Sequence, residues 1–440
     1  MITIEDLYKL YLSHPIVSTD TRKLPEGCLF FALRGANFDG NKYAGAALEA
    51  GAAYAIIDEA DQLIDERTIL VPDALQALQL LAAHHRRALG IPVIAITGTN
   101  GKTTTKELTA AVLSQSYHLL YTEGNLNNHI GVPLTLLRLT PEHQLALIEM
   151  GASKPGDIAE LCAIAQPNYG LITNIGQAHL EGFGSLEGVR RTKGELYDSV
   201  RTREGILFYH EEDEVLRQMS LGTERISYGS SPKAYVQGVA SPSTGESLFL
   251  HFSWSCPILE MSAREVQTQL VGDYNLANAL AAIAIGLYFD VPSDKIDEAL
   301  TSYCPSNSRS QLIHSERGNQ IIADAYNANP SSMRTALSNF LAIEPALRPR
   351  IVILGDMNEL GASSHEAHQE LYQKLSSTAT PPLEIYLCGP HWQEELGDQP
   401  QVYPNVEELI AHIEAHPITK SLILVKGSNS IHLGKLLPYL

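Results

Sequence analysis

Hydrophobic and polar positions divide the chain into three blocks with different rhythms, and the first block ends near residue 89. Its short apolar runs are Cys28–Leu33 and Ala53–Asp58, and a helix-like pattern follows at Asp73–Leu89. Gly90 and Pro92 then interrupt the pattern, as glycine and proline commonly do between elements. We therefore predict a first domain over residues 1–89.

The second block, predicted over residues 90–304, alternates apolar strand patterns with helical ones. Strands are predicted at Pro92–Thr97, Leu145–Glu149 and Tyr169–Asn174. Such alternation is typical of a parallel α/β sheet. From about residue 204 to 272 the pattern changes to short strands, including the sequences ILFYH and SLFLHFSW, which predicts a small antiparallel patch. A helix is predicted after it, at Asn275–Tyr288.

The third block, predicted over residues 305–440, alternates again, with each apolar strand followed by a helix-like stretch. The predicted strands are Ile321–Asp324, Ile351–Gly355, Ile385–Gly389 and Leu422–Val425. This order favours a second doubly wound, Rossmann-like unit. The predicted fold class is therefore α/β with three domains.

Composition narrows the range of partners and compartments. A hydrophobic fraction of 44% and a charged fraction of 18% are ordinary for a globular protein. The net charge is −19 and Lys/Arg residues are not clustered, so nucleic acid is excluded as a partner. Five scattered cysteines without a CxxC pair argue against a disulfide framework and a structural zinc site. Neither a signal peptide nor an apolar run of about 18 residues is present, which predicts a cytoplasmic protein without membrane insertion.

A glycine turn lies between the predicted strand ending at Thr97 and the helix after it. Its residues are Thr97, Gly98, Thr99, Asn100, Gly101, Lys102, Thr103 and Thr104. Backbone N–H groups and a helix N-terminus bind phosphate in such a turn. Lys102 is placed to pair with the β- and γ-phosphates, and the Thr103 hydroxyl to bind Mg²⁺. A chance GKT sequence is the alternative, and the flanking strand and helix argue against it.

The turn departs from the common GxxxxGK[ST] pattern, because Ile96 stands where that pattern requires glycine. The sequence GTNGKTT is instead similar to the nucleotide loop of the Mur ligases and of the related folylpolyglutamate synthetases. In the first block, Ser18–Arg22 and Phe31–Gly40 resemble the family's UDP-sugar domain. Several segments of the second and third blocks resemble the Mur ligases that add D-alanyl-D-alanine. These segments are Thr122–Pro133, Glu149–Ser153, Asn174–Glu181, Asp324–Pro330 and Gly355–Gly361.

The metal site is predicted partly from residue chemistry and partly from this resemblance. Glu149 ends a predicted strand downstream of the phosphate loop, where a carboxylate can hold Mg²⁺; a solvated strand end is the alternative. The resemblance implies that His179 binds a second Mg²⁺ and that Lys193 is carbamylated, although Lys193 could stay cationic and neutralise a phosphate or Glu195. The predicted metal ligands are thus Thr103, Glu149, His179 and Lys193, and the catalytic residues are Lys102, His179 and Lys193.

The remaining ligand contacts are implied mainly by the resemblance. Asn275 and Asn278 lie three residues apart on one helix face, where their amides could contact adenine, and Asn275 could alternatively be only the helix N-cap. Arg309 is expected at the γ-phosphate and Asp324 at the ribose, with Asn327 beside them. Residues expected to bind the other substrates are Ser18, Asp20, Arg22, Asn37, Asn125, Asn128 and Asn329. In the first block these could equally belong to an ordinary turn.

The activity implied by the resemblance is ATP- and Mg²⁺-dependent amide-bond formation through an acyl phosphate. The expected substrates are UDP-N-acetylmuramoyl-tripeptide and D-alanyl-D-alanine, used by a monomeric enzyme of peptidoglycan precursor synthesis. A sibling ligase that adds diaminopimelate or lysine is one alternative. A non-catalytic UDP-sugar-binding regulator and a mechanical ATPase with a phosphate loop are the others.

Overall fold

The computed structural model describes residues 2–35, 37–241, 248–305, 309–343, 348–377, 383–397 and 399–440. Within these ranges the strands form sheets of four, nine, six and two strands. The four-, nine- and six-stranded sheets fall inside the three predicted blocks, in chain order. The α/β fold class is confirmed, while the domain boundaries themselves stay a prediction.

The first sheet is parallel and has the order β1-β2-β5-β6, and β3 and β4 form a separate hairpin. Its strands are β1 (Val17–Ser18), β2 (Leu29–Phe31), β3 (Arg34–Gly35), β4 (Phe38–Asp39), β5 (Tyr54–Ile57) and β6 (Thr68–Leu70), and its helices are α1 (Ile4–Ser13), α2 (Ala44–Glu49) and α3 (Ala74–Leu89). Helix α3 begins after Asp73, whose side chain accepts from the N–H of Gln76, and it ends at Gly90 in the left-handed conformation. The predicted helix is confirmed to within one residue.

The nine-stranded sheet has the order β15-β14-β13-β12-β11-β10-β7-β9-β8. Its strands are β7 (Val93–Thr97), β8 (Leu119–Tyr121), β9 (Leu145–Glu149), β10 (Tyr169–Ile172), β11 (Ile206–His210), β12 (Glu224–Gly229), β13 (Val236–Ala240), β14 (Phe249–Cys256) and β15 (Met261–Val271). Its helices are α4 (Lys102–Leu113), α5 (Gly131–Leu136), α6 (Asp157–Ala165), α7 (Leu180–Phe183), α8 (Leu186–Thr202), α9 (Glu214–Met219), α10 (Leu276–Tyr288) and α11 (Ser293–Ser302). The buried helix α10 confirms the helix predicted at Asn275–Tyr288 and packs against α4 and the sheet.

The antiparallel patch is smaller than predicted. Strand β11, the sequence ILFYH, pairs parallel with both β10 and β12, and antiparallel pairing begins only between β13 and β14. The assignment of Ile206–His210 to the patch was therefore wrong. Four successive residues of β11 are buried, as in a parallel strand covered on both faces, whereas burial in β14 alternates. Strand β10 also ends at Ile172, two residues earlier than predicted, which leaves Thr173 and Asn174 free for the loop described below.

The six-stranded sheet has the order β16-β17-β21-β18-β19-β20 and is parallel except for β16. Its strands are β16 (Gln311–His314), β17 (Gln320–Asp324), β18 (Arg350–Gly355), β19 (Leu383–Cys388), β20 (Val402–Tyr403) and β21 (Leu422–Lys426), and its helices are α12 (Pro330–Ala342), α13 (Ser364–Ser376), α14 (Pro390–Leu396) and α15 (Val406–Ala415). The four predicted strands are confirmed, and the two edge strands were missed. The helix-like stretch expected after β21 consists of two 3₁₀ helices, Asn429–Ile431 and Leu433–Tyr439, and within the described residues it contains no α-helix.

The carboxyl ends of β7, β9 and β10 lie side by side in the central sheet, so the loops after them meet at one edge. Strands β17 and β21 pair in the third sheet, and their carboxyl ends carry Asp324 and Lys426. Across all of the ranges given above, the helices are too short or too polar to cross a membrane.

Candidate active site

A tight turn joins β7 to α4, and two glycines are required in it. Gly98 has φ +144° and Gly101 has φ +78°. A Cβ atom on Gly98 would lie 2.0 Å from Thr173 Oγ1, and one on Gly101 would lie 2.6 Å from Asn278 Oδ1. The backbone therefore approaches its neighbours more closely than a side chain would permit, so both positions require glycine.

Residues after β10 fix this turn from the side. The N–H of Asn100 donates to Asn174 Oδ1 at 3.0 Å, and Asn174 Nδ2 donates to the Asn100 carbonyl at 2.9 Å. The Thr173 hydroxyl donates to the same carbonyl at 2.6 Å. Sequence reasoning assigned no role to Thr173 or Asn174, because only the pairing of β7 with β10 brings them to the turn.

Lys102 begins α4, and its ammonium folds back over the turn. Its Nζ donates to the carbonyls of Gly98 at 2.7 Å and Thr99 at 3.0 Å. Burial lowers the pKa of Lys102 to about 8; the Glu149 carboxylate opposes this shift and Arg309 adds to it. The cation thus lies at the centre of the phosphate loop, between charged groups from two other segments.

Glu149, at the end of β9, is buried and has one carboxylate oxygen engaged and one free. Its Oε1 accepts from the Thr103 hydroxyl at 3.2 Å and from Asn127 Nδ2 at 2.8 Å. Its Oε2 is buried without a hydrogen-bond partner in the described part of the chain. A buried, unpartnered carboxylate oxygen beside a threonine hydroxyl fits a hard cation such as Mg²⁺, which prefers oxygen ligands.

Of the four predicted metal ligands, two are in direct contact with each other in this structure. Thr103 and Glu149 are in contact, whereas the Nδ1 of His179 contacts the carboxylate of Glu359 from the third sheet's unit. Hydrogen bonding to His179 lowers the pKa of Glu359. Over the residues that the structure describes, no group of three or more His, Cys, Asp or Glu side chains forms a metal cluster. The metal roles of His179 and Lys193 stay predictions.

Lys193 lies within α8, and its side chain is 2% exposed. Its Nζ lies 5.7 Å from the centroid of the Phe183 ring. Burial, with the Lys102 cation as a further cause, lowers the pKa of Lys193 to about 7, while Asp157, Glu195 and Glu149 oppose the shift. The lysine is therefore held in an environment that disfavours an ammonium ion.

The two asparagines at the start of α10 lie on one helix face, as their spacing predicted, and they also contact one another. Asn278 Nδ2 donates to Asn275 Oδ1 at 2.9 Å, and Asn278 Oδ1 accepts from the Thr105 hydroxyl at 3.0 Å. Asn275 occupies the N-cap position but makes no capping hydrogen bond; its Nδ2 donates to the Val271 carbonyl. The adenine contact remains a prediction.

The third unit, which is built on the six-stranded sheet, contributes charged groups near the glycine turn. The Arg309 guanidinium lies 3.8 Å from the centroid of the Tyr326 ring. Asp324 pairs with Lys426 at 2.6 Å, and Lys426 Nζ also donates to the Asn327 carbonyl at 3.1 Å. Lys426 was not among the predicted site residues, although the segment Lys426–Ser428, which also resembles the family, directly follows a predicted strand and was a usable signal.

Three asparagines in the substrate prediction have different surroundings. Asn125 and Asn128 are exposed, and Asn128 Oδ1 accepts from the N–H groups of Ile130 and Gly131. Asn329 is buried and caps α12 by accepting from Ser332, and its Nδ2 donates to Asn100 Oδ1 at 2.7 Å. Asn329 therefore serves as a helix cap and as a bridge between units, while its substrate contact stays a prediction.

The predicted site residues of the first unit, which is built on the four-stranded sheet, do not line the cavity that contains Lys102 and Glu149. The Ser18 hydroxyl donates to the Asp20 carbonyl, and Asp20 pairs with Arg22 at 2.7 Å. Hydrogen bonds from Arg22 lower the pKa of Asp20 to about 2. Asn37 is exposed, whereas the buried Asn41, which was not predicted, binds Asp58.

A cavity of about 700 Å³ lies between the central and third units. Fourteen of the residues predicted for the site line this cavity: Thr99, Asn100, Gly101, Lys102, Thr103, Thr104, Asn128, Glu149, His179, Asn275, Asn278, Arg309, Asp324 and Asn327. Ser18, Asp20, Arg22, Asn37, Thr97, Gly98, Asn125, Lys193 and Asn329 are not part of this lining. The fold and this site define an α/β protein in which a glycine turn between a strand and a helix faces a Rossmann-like unit.

Comparisons with known proteins identify the family. Family models described as "Mur ligase family, catalytic domain", "Mur ligase middle domain" and "Mur ligase, glutamate ligase domain" match residues 15–86, 96–286 and 308–429. The UDP-N-acetylmuramoyl-tripeptide--D-alanyl-D-alanine ligase of Escherichia coli (strain K12) is 39% identical over 94% of this chain and 91% of its own length. The chain belongs to the Mur ligase family.

Two solved structures share the fold over nearly the whole chain. The crystal structure of MurF from Acinetobacter baumannii has a TM-score of 0.83 and 31% identity, covering 96% of this chain and 92% of its own. MurF ligase from Thermotoga maritima, solved in complex with ADP, has a TM-score of 0.83 and 25% identity, covering 97% of both chains. The similarity therefore includes the relative arrangement of secondary structure in all three sheets.

Proposed function

We propose that this protein is an ATP-dependent ligase that joins D-alanyl-D-alanine to UDP-N-acetylmuramoyl-tripeptide. The observation that carries the proposal is the shared cavity, where Lys102 and Glu149 of the central unit face Arg309 and Asp324 of the third. Such a cavity can hold a nucleotide and an acceptor peptide together. The substrates are those in the name of the Escherichia coli relative.

The reaction proceeds in two balanced steps. An oxygen of the tripeptide's terminal carboxylate attacks the γ-phosphorus of ATP, the bond to the β-phosphate oxygen breaks, and ADP and an acyl phosphate form. The amine of D-alanyl-D-alanine then attacks the acyl carbon, loses a proton, and expels inorganic phosphate. Lys102 and Arg309 offset the charge on the transferring phosphoryl group.

Mg²⁺ fits the oxygen ligands offered by Thr103 and Glu149, and His179 and Lys193 are proposed for a second ion. When bound, the ions neutralise charge on the nucleotide phosphates. We propose that Lys193 acts as a carbamate. A buried ammonium near the Lys102 cation is unfavourable. The neutral amine attacks CO2, forms an N–C bond and loses a proton, which gives a carbamate that is an anionic oxygen donor.

We further propose domains at residues 1–89, 90–304 and 305–440, and a monomer in the cytoplasm, where ATP and the nucleotide-linked peptide occur together. Sedimentation in the presence of substrates tests the oligomeric state. One species near 48.1 kDa supports the monomer, and a species of twice that mass overturns it.

Isotope transfer tests the chemistry itself. Tripeptide substrate carrying ¹⁸O in its terminal carboxylate is incubated with ATP and D-alanyl-D-alanine, and the phosphate released is analysed by mass spectrometry. The acyl phosphate pathway transfers one carboxylate oxygen to each phosphate. Phosphate without ¹⁸O, formed by attack of water on ATP, would contradict the proposal.

A further inference from the structure

Two non-glycine residues with left-handed backbone conformations meet across the boundary between the central and third units. His179 has φ +50° and Glu359 has φ +65°, and the imidazole Nδ1 contacts the Glu359 carboxylate. L-residues adopt this conformation at an energetic cost, and such residues concentrate where surrounding structure holds a functional geometry. The contact therefore calls for an explanation beyond surface charge pairing.

Both partners are held by their own units. His179 immediately precedes α7, and its carbonyl accepts from the N–H of Gly182 at 3.0 Å. On the other side, Asn358 donates from its N–H to the Ser428 hydroxyl at 3.0 Å, and from its Nδ2 to the Ser430 hydroxyl at 2.6 Å. The loop carrying Glu359 is thus tied to the residues after β21, and docking of the third unit sets where its carboxylate lies.

The contact also determines which ring nitrogen of His179 is available. Because the Glu359 carboxylate contacts Nδ1, Nε2 is the ring nitrogen that can be presented to a cation. His179 lines the cavity together with Lys102 and Glu149, whereas Glu359 is not part of the lining. Glu359 can therefore act on the site only through His179.

We propose that Glu359 is a positioning residue, which orients His179 towards the cavity when the third unit docks against the central one. The pair links docking to completion of the cation site, because the carboxylate and the imidazole belong to different units. This inference rests on the proposed function, since it assumes that His179 binds a cation near the nucleotide phosphates. Through Glu359, the third unit thus helps to form the cation site of the central unit.

Cation binding, measured without turnover, tests the inference. Mn²⁺ replaces Mg²⁺, a non-hydrolysable ATP analogue is present, and free Mn²⁺ is quantified by electron paramagnetic resonance. Glu359→Ala is expected to weaken Mn²⁺ binding by about tenfold, the lower end of the effect of residues that orient metal-bound histidines. Glu359→Gln should lose less, because its amide oxygen still accepts a hydrogen bond from Nδ1.

Arg334→Ala is the matched control, because Arg334 also bridges the two units, donating to Gln177 Oε1 at 3.4 Å, and does not line the cavity. Its Mn²⁺ affinity should stay within about twofold of the unsubstituted protein, since it lacks any contact with His179. Equal Mn²⁺ binding by Glu359→Ala and the unsubstituted protein would overturn the inference, as would an equal loss in Arg334→Ala. If the unsubstituted protein binds no Mn²⁺ beside the nucleotide, the proposed cation site falls as well.

Discussion

The hydroxyl of Thr103 donates to Oε1 of Glu149 at 3.2 Å and so joins the first turn of α4 to the end of β9. Asn127 donates to the same oxygen, which leaves Oε2 as the buried oxygen without a partner among the described residues. The carboxylate is therefore oriented by protein groups before any ligand binds. Such preorganisation is what a cation site beside a phosphate loop needs.

Asn127→Ala should weaken this site, because the alanine leaves Oε1 with one donor fewer and frees the carboxylate to rotate. We expect kcat to fall by about tenfold at saturating ATP, in line with other residues that orient a metal ligand. Steady-state ADP release measures the effect. Asn339→Ala, near the end of α12 and outside the cavity lining, is the control and should match the unsubstituted protein. An Asn127→Ala variant with full kcat would show that Glu149 needs no help in orientation.

Lys102→Ala should lower kcat by about 10³-fold or more, because it removes the cation held inside the phosphate loop. The protein should stay folded, with a thermal midpoint close to the original one, since the hydrogen bonds of the Lys102 ammonium go to two carbonyls of the same loop. The exposed Lys295, paired with Glu298 on α11, provides the control Lys295→Ala. Near-normal turnover of folded Lys102→Ala would exclude this loop as the ATP site.

Gly98→Ala should disrupt both activity and stability. Its Cβ would lie 2.0 Å from Thr173 Oγ1, and φ +144° is unfavourable for alanine. We expect a loss of about 1–3 kcal/mol in the free energy of unfolding, measured with urea. Gly434→Ala, whose Cβ meets no atom within 4 Å, should change it by less than about 0.5 kcal/mol. Equal stability of the two variants would contradict the close packing of the turn.

Lys193→Ala should be nearly inactive and should recover part of its activity when acetate is added, because acetate can replace the carbamate oxygens. The unsubstituted protein in the same acetate series should show no gain. Electron density in a crystal with nucleotide and metal should extend beyond Nζ as a planar group. Full activity of Lys193→Ala, or an unmodified ammonium that contacts phosphate in the loaded enzyme, would disprove the carbamate.

Local signals in the sequence were sufficient for the phosphate loop, because Gly98, Gly101 and Lys102 are close together and flanked by a strand and a helix. They did not identify Asn127, since it lies in a run with Asn125 and Asn128 and no local pattern shows which amide turns inward. Asn174 and Lys426 reach the site through strand pairing between distant segments.

Local sequence patterns were also insufficient to predict the direction of strands and the docking of the units. The sequence ILFYH was assigned to the antiparallel patch because it is short, although its continuous apolar character favoured a parallel strand. The contact of His179 with Glu359 depends on how two units dock. The pattern of apolar residues within either unit does not predict that docking.

Acceptor choice tests the central claim most directly. The purified protein is given ATP, Mg²⁺ and UDP-N-acetylmuramoyl-tripeptide, and ADP release is followed with D-alanyl-D-alanine, D-alanine, L-lysine or meso-diaminopimelate as the only added amine. We predict rapid ADP release and a matching amide product with D-alanyl-D-alanine, and only background release with the single amino acids. Equal or faster turnover with L-lysine or meso-diaminopimelate would contradict the proposed function.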